Sequence, residues 1–379
     1  MASASDKFSS DDYRFMARAL QLAEKGRYTT QPNPRVGCVL VRNNQVIGEG
    51  YHRLAGQPHA ERVALANVTE KTEGATAYVT LEPCCHHGKT PPCTEALIEA
   101  KVSRVVVAME DPNSLVAGNG IKKLQQAGID VSCGLLEDQA KALNPGFIKR
   151  MSLGLPFVRC KLATSVDGKT AMANGESVWI TSEASRRDVQ YLRAQSSAIM
   201  TGSGTVRHDN PSLNVRLTGQ ELRLDEDLPV YQPVRVILDT TLQTPVDAKI
   251  FKQPGRVLIY CGNERYENAT KYTKHSGSNV TVVPVDLHNE KLVIEQVLKD
   301  LAEREINEVL LETGATLAGA AINAGLIDEL IVYQAPSLMG HDARPLVVLP
   351  GIDSMSEKIN MRLIDQRQVG PDQRMIFTL

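Results

Sequence analysis

The chain has 379 residues, 42% of them hydrophobic and 23% charged, with a formal net charge of −2. That length and apolar content suit two domains with their own cores, and the nearly balanced charge gives no bias toward nucleic acid or another polyanion. Seven cysteines at irregular spacing argue against a disulfide framework and for a reducing cytoplasm; the N-terminus lacks a signal-like apolar core, and no run approaches the ~18 apolar residues of a membrane span.

In chain order, residues 1–10 read as a disordered lead-in. Residues 11–26 predict an amphipathic helix with Asp11 as cap, Phe15, Ala19, Leu22 and Ala23 as its apolar face, and Gly26 as its stop. Residues 36–41 and 45–50 predict a hairpin across Asn43-Asn44. Helices at 59–68, 94–100 and 121–127 then alternate with apolar strands at 76–81, 104–108 and 129–133, the rhythm of a layered α/β domain with strands buried on both faces. A further helix at 135–149, broken near Pro145, completes a domain over 11–150, and 151–156 reads as a linker. Over 157–379 the rhythm restarts. Strands are placed at 157–163, 198–201, 234–238, 257–260, 308–312 and 328–333, and helices at 181–193, 293–303 and 316–324. Residues 374–379 are placed as a last edge strand, and the charged stretch 217–228 reads as a solvated surface loop without a role.

The chemistry concentrates in His59-Ala60-Glu61 and in the run P-C-C-H-H-G-K-T-P-P-C from Pro83 to Cys93. One imidazole, two thiolates and a carboxylate that is not a ligand form the set a zinc-dependent nucleobase deaminase needs. Deamination requires a hydroxide near neutral pH, which a metal supplies by lowering the pKa of water to roughly 7, and a group that carries protons to the ring and to the departing amine. The assignment is zinc on His59, Cys84 and Cys93, with Glu61 as proton shuttle. Eight residues separate Cys84 from Cys93 where the usual deaminase pattern has two, so the loop 85–92 must fold back. That loop also holds Cys85 and His86 as an alternative pair; Cys84 is preferred because it directly follows Pro83.

Three features mark the second half: K-L-A-T-S-V-D-G-K-T-A at 161–171, T-G-S-G-T-V-R-H-D-N-P at 201–211 and L-E-T-G-A-T-L-A-G-A at 311–320. Each is a glycine turn after a strand, where open α/β sheets place ligands, and the last opens a helix whose amides suit an anion. None is a G-x-G-x-x-G, so a nucleotide cofactor is expected without the standard dinucleotide fingerprint.

Over residues 10–379 the chain resembles the bacterial bifunctional riboflavin-biosynthesis enzymes, in which a diaminohydroxyphosphoribosylaminopyrimidine deaminase is joined to a 5-amino-6-(5-phosphoribosylamino)uracil reductase. The resemblance is carried by P-N-P-R-V-G-C-V, G-x-P-H-A-E, T-L-E-P-C-C-H-H-G-K-T-P-P-C, K-x-A-x-S-x-D-G, W-I-T-S, D-N-P-x-L-x-V-R and E-T-G-A-T-L-A-G. In that family the long spacing between the cysteines is normal, and Ser usually stands where this chain has Cys85. The resemblance implies a cytidine-deaminase-like three-layer domain followed by a dihydrofolate-reductase-like α/β domain. It also implies one Zn2+ per chain, NADPH, a small phosphorylated pyrimidine substrate, no nucleic-acid or membrane partner, and a homo-oligomer. It implies zinc on His59, Cys84 and Cys93, Glu61 as proton donor, Asn33 on the pyrimidine edge, and His52, His86 and Lys89 as cationic donors to the 5'-phosphate. For the reductase it implies substrate contacts from Ser177, Arg193, Leu213, Arg216 and Glu312, the two arginines gripping phosphate by their forks. The implied cofactor contacts are Ala163, Trp179, Thr205, Asp209, Thr240, Gly314, Ala315, Thr316, Leu317, Ala318, Gly319 and Ala320. Lys161 and Asp167 fall near the reacting centre, with no acid named among them.

Overall fold

Helix α1 (Ser10–Glu24) is opened by Ser9, not by the expected Asp11. The Asp12 amide donates to Ser9 Oγ at 3.1 Å and the Ser9 amide donates to the Asp12 carboxylate at 2.9 Å, a reciprocal cap that satisfies two otherwise orphaned donors. The computed structural model describes residues 7–86, 91–113, 116–272 and 279–379, and all statements below concern these. They fall into two units. One holds the chain to Gly154 together with Gly219–Pro229, and the other holds Leu155–Thr218 and Val230–Leu379.

The first unit is built on a five-stranded sheet. Strands β1 (Gly37–Arg42), β2 (Gln45–Tyr51), β3 (Thr76–Val79), β4 (Arg104–Val107) and β5 (Asp130–Cys133) lie in the order β2-β1-β3-β4-β5. The β1–β2 hairpin turns at Asn43 and Asn44, both with positive φ of 50° and 63°, as the two-residue turn requires. β3, β4 and β5 run parallel. Alternation along β1 sends Val39 and Val41 to one face, against Phe15, Met16 and Ala19 of α1, Ala140 of α5 (Glu137–Leu143) and Phe147 of α6 (Pro145–Leu153). Cys38 and Leu40 go to the other, against Ala60 and Ala64 of α2 (Ala60–Ala66), Leu97 of α3 (Cys93–Glu99) and Leu124 of α4 (Asn119–Gln126). Two helical layers around one sheet give the expected three-layer architecture. Helix α2 sits so close to β2 that a Cβ at Gly50 would lie 2.4 Å from the Ala64 nitrogen; glycine is what lets the helix carrying His59 and Glu61 seat there.

The expected linker begins later than the composition suggests. α6 runs through Leu153 and ends at Gly154, whose φ of 65° stops it. The stretch 217–228 is not simply solvated either: Leu222 and Leu228 are buried. Asp225 accepts from Tyr51 Oη at 2.6 Å and Arg53 Nε at 3.2 Å, and Asp227 accepts from Arg53 at 2.5 Å. In the sequence its charges look merely solvated because their partners lie about 170 residues away.

The second unit carries a nine-stranded sheet. Its strands are β6 (Phe157–Ser165), β8 (Ala198–Gly202), β9 (Val234–Leu238), β10 (Val257–Gly262), β11 (Val280–Val285), β14 (Glu308–Glu312), β15 (Glu329–Ala335), β17 (Arg362–Val369) and β18 (Asp372–Thr378). The order is β11-β10-β9-β8-β14-β6-β15-β18-β17, parallel from β11 through β15 and antiparallel thereafter. β7 (Lys169–Ala171) pairs with β16 (Arg344–Pro345), and β12 (Leu287–His288) with β13 (Lys291–Leu292). One face is covered by the helices Ile294–Glu303 and Ala315–Asn323, the other by α7 (Glu183–Gln195) and α8 (Ser203–Asp209). The 201–211 run, expected as a loop, thus folds into α8. The C-terminal strand is not the edge: β18 is paired on both sides, and β17, whose residues are exposed on both faces, lies outside it. A strand without a buried face has no period-two signal to read.

Asp12 also ties the layers of the first unit together, accepting from Tyr78 Oη and from Arg104, both at 2.7 Å. Burial would raise its carboxyl, but the bonds from Arg104, Ser9 and Tyr78 outweigh it and hold it at about 2, against 3.8 ordinarily. A depressed carboxyl contributes stability above its unfolded pKa and loses it as pH falls through the folded value. Thermal stability should therefore fall as pH drops from about 4 to about 2. Asp12→Asn should cost about 2 kcal/mol at neutral pH and reduce that acid slope; an unchanged slope in the variant would show that Asp12 is not the group responsible.

Candidate functional site

His59 caps the start of α2 at the edge of the sheet, and Cys84 follows the end of β3. The return from Cys84 to α3 is tight. The Cys93 amide donates to Cys84 Sγ at 3.3 Å, and Thr94 donates to the Cys84 carbonyl through its amide at 3.2 Å and its hydroxyl at 3.3 Å. Arg62 of α2 grips the carbonyls of Pro91 and Pro92, both at 3.1 Å, and so presses the start of α3 onto α2. The long spacing is closed in this way, and His59 Nδ1 lies 3.5 Å from Cys84 Sγ and 3.4 Å from Cys93 Sγ. All three donor atoms lie within 4.8 Å of one another, and no other such cluster occurs among the described residues. Tetrahedral zinc with bonds of about 2.0–2.3 Å sets nitrogen and sulfur about 3.6 Å apart, so the donor set and its spacing fit that ion. The thiol of Cys84 is pulled down, first by the Cys93 hydrogen bond and, against burial, also by His59. One sulfur of the pair is thus readied as a thiolate ligand. Cys85 has its thiol pushed up by burial and is absent from the cluster.

Glu61 lies in the first turn of α2 and is buried. Burial, and then the charge at Cys84, pushes its carboxyl up to about 7, the range suited to taking and giving protons near neutrality. Asn33 is half-buried in its P-N-P turn, with Nδ2 3.0 Å from His52 Nε2. His52 is not laid out as a phosphate donor. It is 2% exposed, its Nδ1 bonds the Pro58 carbonyl at 3.2 Å, and burial pushes it down to about 4. A neutral ring with both nitrogens engaged offers no cation to a dianion. His86 is exposed, and Lys89 lies outside the described residues.

Two carboxylates escaped the sequence reading. Glu82 is buried and accepts from four backbone amides, those of Asp111, Gly118, Gly120 and Ile121, at 2.8–3.2 Å. It fastens the segment after β4 beside the start of α4. Asp111 on that segment is pushed up to about 6, chiefly by burial, and lies within electrostatic reach of Glu82, His86 and Cys84. The signal available in the sequence is its place, E-D-P-N two residues past the carboxyl end of β4.

In the second unit the carboxyl ends of β6, β8, β9 and β14 share one edge, because these strands are parallel. Ala163 is half-buried near that end of β6, Thr205 in α8 follows β8, and Thr240 follows β9. Asp209 closes α8 and is exposed. Gly314 caps the helix Ala315–Asn323 without any side-chain bond to the first-turn amides, which suits a phosphate. Ala315, Thr316, Leu317 and Ala320 keep some exposure, whereas Ala318 and Gly319 face inward. A Cβ on Gly319 would meet the Val348 carbonyl oxygen at 1.9 Å, so packing keeps that residue small. Trp179 is 71% exposed, its ring stacked under the Arg186 guanidinium at 4.4 Å, with Ser177 half-buried two residues before it. A large apolar ring left in solvent is no core residue.

The two arginines expected to fork a phosphate differ. Arg193 spends its fork on Glu312, Nε to Oε1 at 2.6 Å and Nη2 to Oε2 at 2.9 Å, and gives Nη1 to the Asn214 carbonyl at 3.1 Å. Arg216 is exposed and close enough to act on Glu312 electrostatically, while Leu213 is buried with a φ of 46°. Burial would raise the Glu312 carboxyl, but Arg193, then Lys161 and Arg216, hold it below its ordinary value. Lys161, opposite Glu312 in the β6–β14 register, is pushed down by burial and lifted in part by that carboxylate. Asp167 is spent on structure, accepting from the amides of Met339 at 3.1 Å and Gly340 at 2.8 Å.

Residues 9–109 match the family model for the cytidine and deoxycytidylate deaminase zinc-binding region, and residues 156–374 match the one for the RibD C-terminal domain. The chain is 48% identical over 365 residues to the riboflavin biosynthesis protein RibD of Escherichia coli K12, covering 96% of this chain and 97% of that one. It is 47% identical over 375 residues to RibD of Haemophilus influenzae, covering 98% of each. Among solved structures, Acinetobacter baumannii RibD superposes with a TM-score of 0.87 at 45% identity over 97% of this chain and 98% of that one. A deaminase/reductase of Thermotoga maritima gives 0.83 at 32% identity over the same shares.

If the donor set is His59, Cys84 and Cys93, then Cys85→Ser should keep one zinc per chain, and Cys84→Ser should lose roughly 10-fold or more in zinc affinity. Metal analysis after dialysis against a chelator decides this. Zinc lost from the Cys85 variant and kept by the Cys84 variant would reassign the ligand.

Proposed function

The chain belongs to the RibD family of bifunctional riboflavin-biosynthesis enzymes, and from that premise we propose how its own residues divide the two reactions. The first is zinc-dependent hydrolytic deamination of 2,5-diamino-6-(5-phosphoribosylamino)pyrimidin-4(3H)-one. The second is NADPH-dependent reduction of the ribosyl group to ribityl, which gives 5-amino-6-(5-phosphoribitylamino)uracil. The observation that carries the division of roles is the triangle of His59, Cys84 and Cys93 with a buried carboxyl, Glu61, beside it.

His59, Cys84 and Cys93 would hold zinc, which when bound would supply the Lewis acidity that makes water nucleophilic near neutral pH. Glu61 takes one proton from the attacking water and gives it to the ring nitrogen, then takes the second from the hydroxyl now on the tetrahedral carbon and gives it to the amine as the C–N bond breaks, which leaves the carbonyl. Its raised carboxyl makes both directions of transfer accessible. Asn33 binds the pyrimidine edge. His86 and Lys89 donate hydrogen bonds to the 5'-phosphate. Asp111, within electrostatic reach of Cys84 and His86, accepts from the ribose hydroxyls. In the second unit, NADPH supplies the reducing equivalent when bound. The free amides at Gly314 hold one of its phosphates, and Ala163, Thr205, Asp209, Thr240 and Trp179 border it. Arg216 offers its exposed guanidinium to the substrate phosphate, and Arg193 fixes the Glu312 carboxylate that orients the sugar.

Seven free cysteines suit a reducing cytoplasm, and among the described residues no helix is long and apolar enough to cross a membrane. The partners in this reading are the small phosphorylated pyrimidine and further copies of the same chain, with no nucleic acid. A homo-oligomer is supported by β17, an outermost strand whose Leu363 and Ile364 stand 48% and 45% exposed; such edges invite pairing with another strand. Replacing both with Lys should shift the sedimentation of the protein to that of a monomer, and an unchanged profile would remove this edge from the assembly.

The reading is tested by incubating the protein with the phosphoribosylated diaminopyrimidinone, with and without NADPH. Ammonia should appear in both cases, and NADPH should be consumed in step with it. Glu61→Gln should keep its zinc and lose about 10²- to 10⁴-fold in ammonia release, while still oxidising NADPH when given the deaminated intermediate. Ammonia release that survives this change would end the proton-transfer assignment.

A further inference from the structure

His52 faces the site without a role in the reading above, and its geometry assigns it one. Its backbone amide continues the β1–β2 pairing by donating to the Val36 carbonyl at 2.9 Å. Tyr51 and Arg53 on either side are held by Asp225 and Asp227 within the same unit. The ring packs edge-on against that of His59, with centroids 5.3 Å apart. It is closed off from solvent, and each nitrogen has one partner, Nδ1 the Pro58 carbonyl at 3.2 Å and Nε2 the Asn33 amide nitrogen at 3.0 Å.

The order of these bonds fixes a direction. A carbonyl oxygen can only accept, so Nδ1 carries the hydrogen. In a neutral imidazole Nε2 is then bare and accepts, which requires Asn33 to present Nδ2 and not Oδ1. The amide is thereby fixed in one of its two orientations. Among the described residues nothing donates to Asn33 Oδ1, so it stays available as an acceptor. We propose that His52 is a positioning residue of the deaminase site: through the Pro58 carbonyl it sets the Asn33 amide so that Oδ1 accepts from an N–H of the pyrimidine edge. This rests on the deaminase reading of the unit and replaces the expectation that His52 grips the phosphate.

The two roles separate with two substrates, the phosphorylated diaminopyrimidinone and the same compound after removal of its phosphate. His52→Leu should lower kcat/KM for ammonia release about 30-fold on both, since the lost bond orients the base. His52→Gln can place Oε1 near the position of Nε2 and should return activity to within about 5-fold of the unmutated protein. Both variants should keep one zinc per chain by metal analysis. NADPH oxidation on the deaminated intermediate serves as the folding control. On an Asn33→Ala background, His52→Leu should add less than about 2-fold, because the two residues act as one unit. A loss confined to the phosphorylated substrate would make His52 a phosphate ligand and overturn the proposal. Zinc loss in either variant, or fully additive losses in the double variant, would overturn it too. If the unmutated protein released no ammonia, the deaminase reading would fall first and this proposal with it.

Discussion

Everything in the first unit serves to bring one nitrogen and two sulfurs within 4.8 Å of each other. The atoms come from the start of α2, from the exit of β3 and from the start of α3. No local preference holds these three points together. Gly50 lets α2 lie against β2, Arg62 draws the segment before Cys93 down onto α2, and the Cys84 sulfur and carbonyl receive the first amides of α3. A donor set of this kind has to be assembled by the fold before a metal can bind with full strength, since each ligand brought in from a mobile chain would cost ordering entropy. The same packing buries Glu61, so a single arrangement both spaces the ligands and lifts the neighbouring carboxyl into the useful range.

The second unit solves a different problem. Its ligand edge is generic, since any parallel sheet presents strand ends and helix starts on one side. Charge arrangement makes it specific. Arg193, Lys161 and Glu312 are half-buried together, and each would be costly to hold there alone. Joined, they keep a carboxylate charged at the end of β14, beside the open amides at Gly314. A similar device, Arg159 between Glu308 and Glu329, pins the opposite ends of β6, β14 and β15, away from the chemistry. One ionic cluster thus supports the sheet while the other faces the ligand edge, a difference set by position along the strands.

Most regular elements are legible in the sequence because their residues carry a period. The Asn43-Asn44 turn, the apolar runs of β3 and β4 and the break at Pro145 all announce themselves. What is hard to read has no period of its own. β17 is polar and exposed on both faces, the charges of 217–228 look like solvation, and α8 is hidden by its glycines. At the site, residue types were legible and their commitments were not. Histidine at 52 and arginine at 193 suggest phosphate, yet both spend their hydrogen bonds on neighbours. Asp111 and Glu82 are silent in the sequence because a carboxylate's burial cannot be counted from composition.

By itself, then, the order of side chains determined the chemistry on offer. An H-x-E step, a P-C and a distant Cys offer a zinc donor set with a carboxylate beside it, and strand-end glycines offer room for an anion, because donor type and backbone freedom are properties of single residues. Only the tertiary structure decided which nitrogen of His59 faces the sulfurs, which arginine is left for a ligand, and which way the Asn33 amide points. Those are questions of who is already bonded to whom, and the answers come from groups that meet only when distant stretches of chain are packed together.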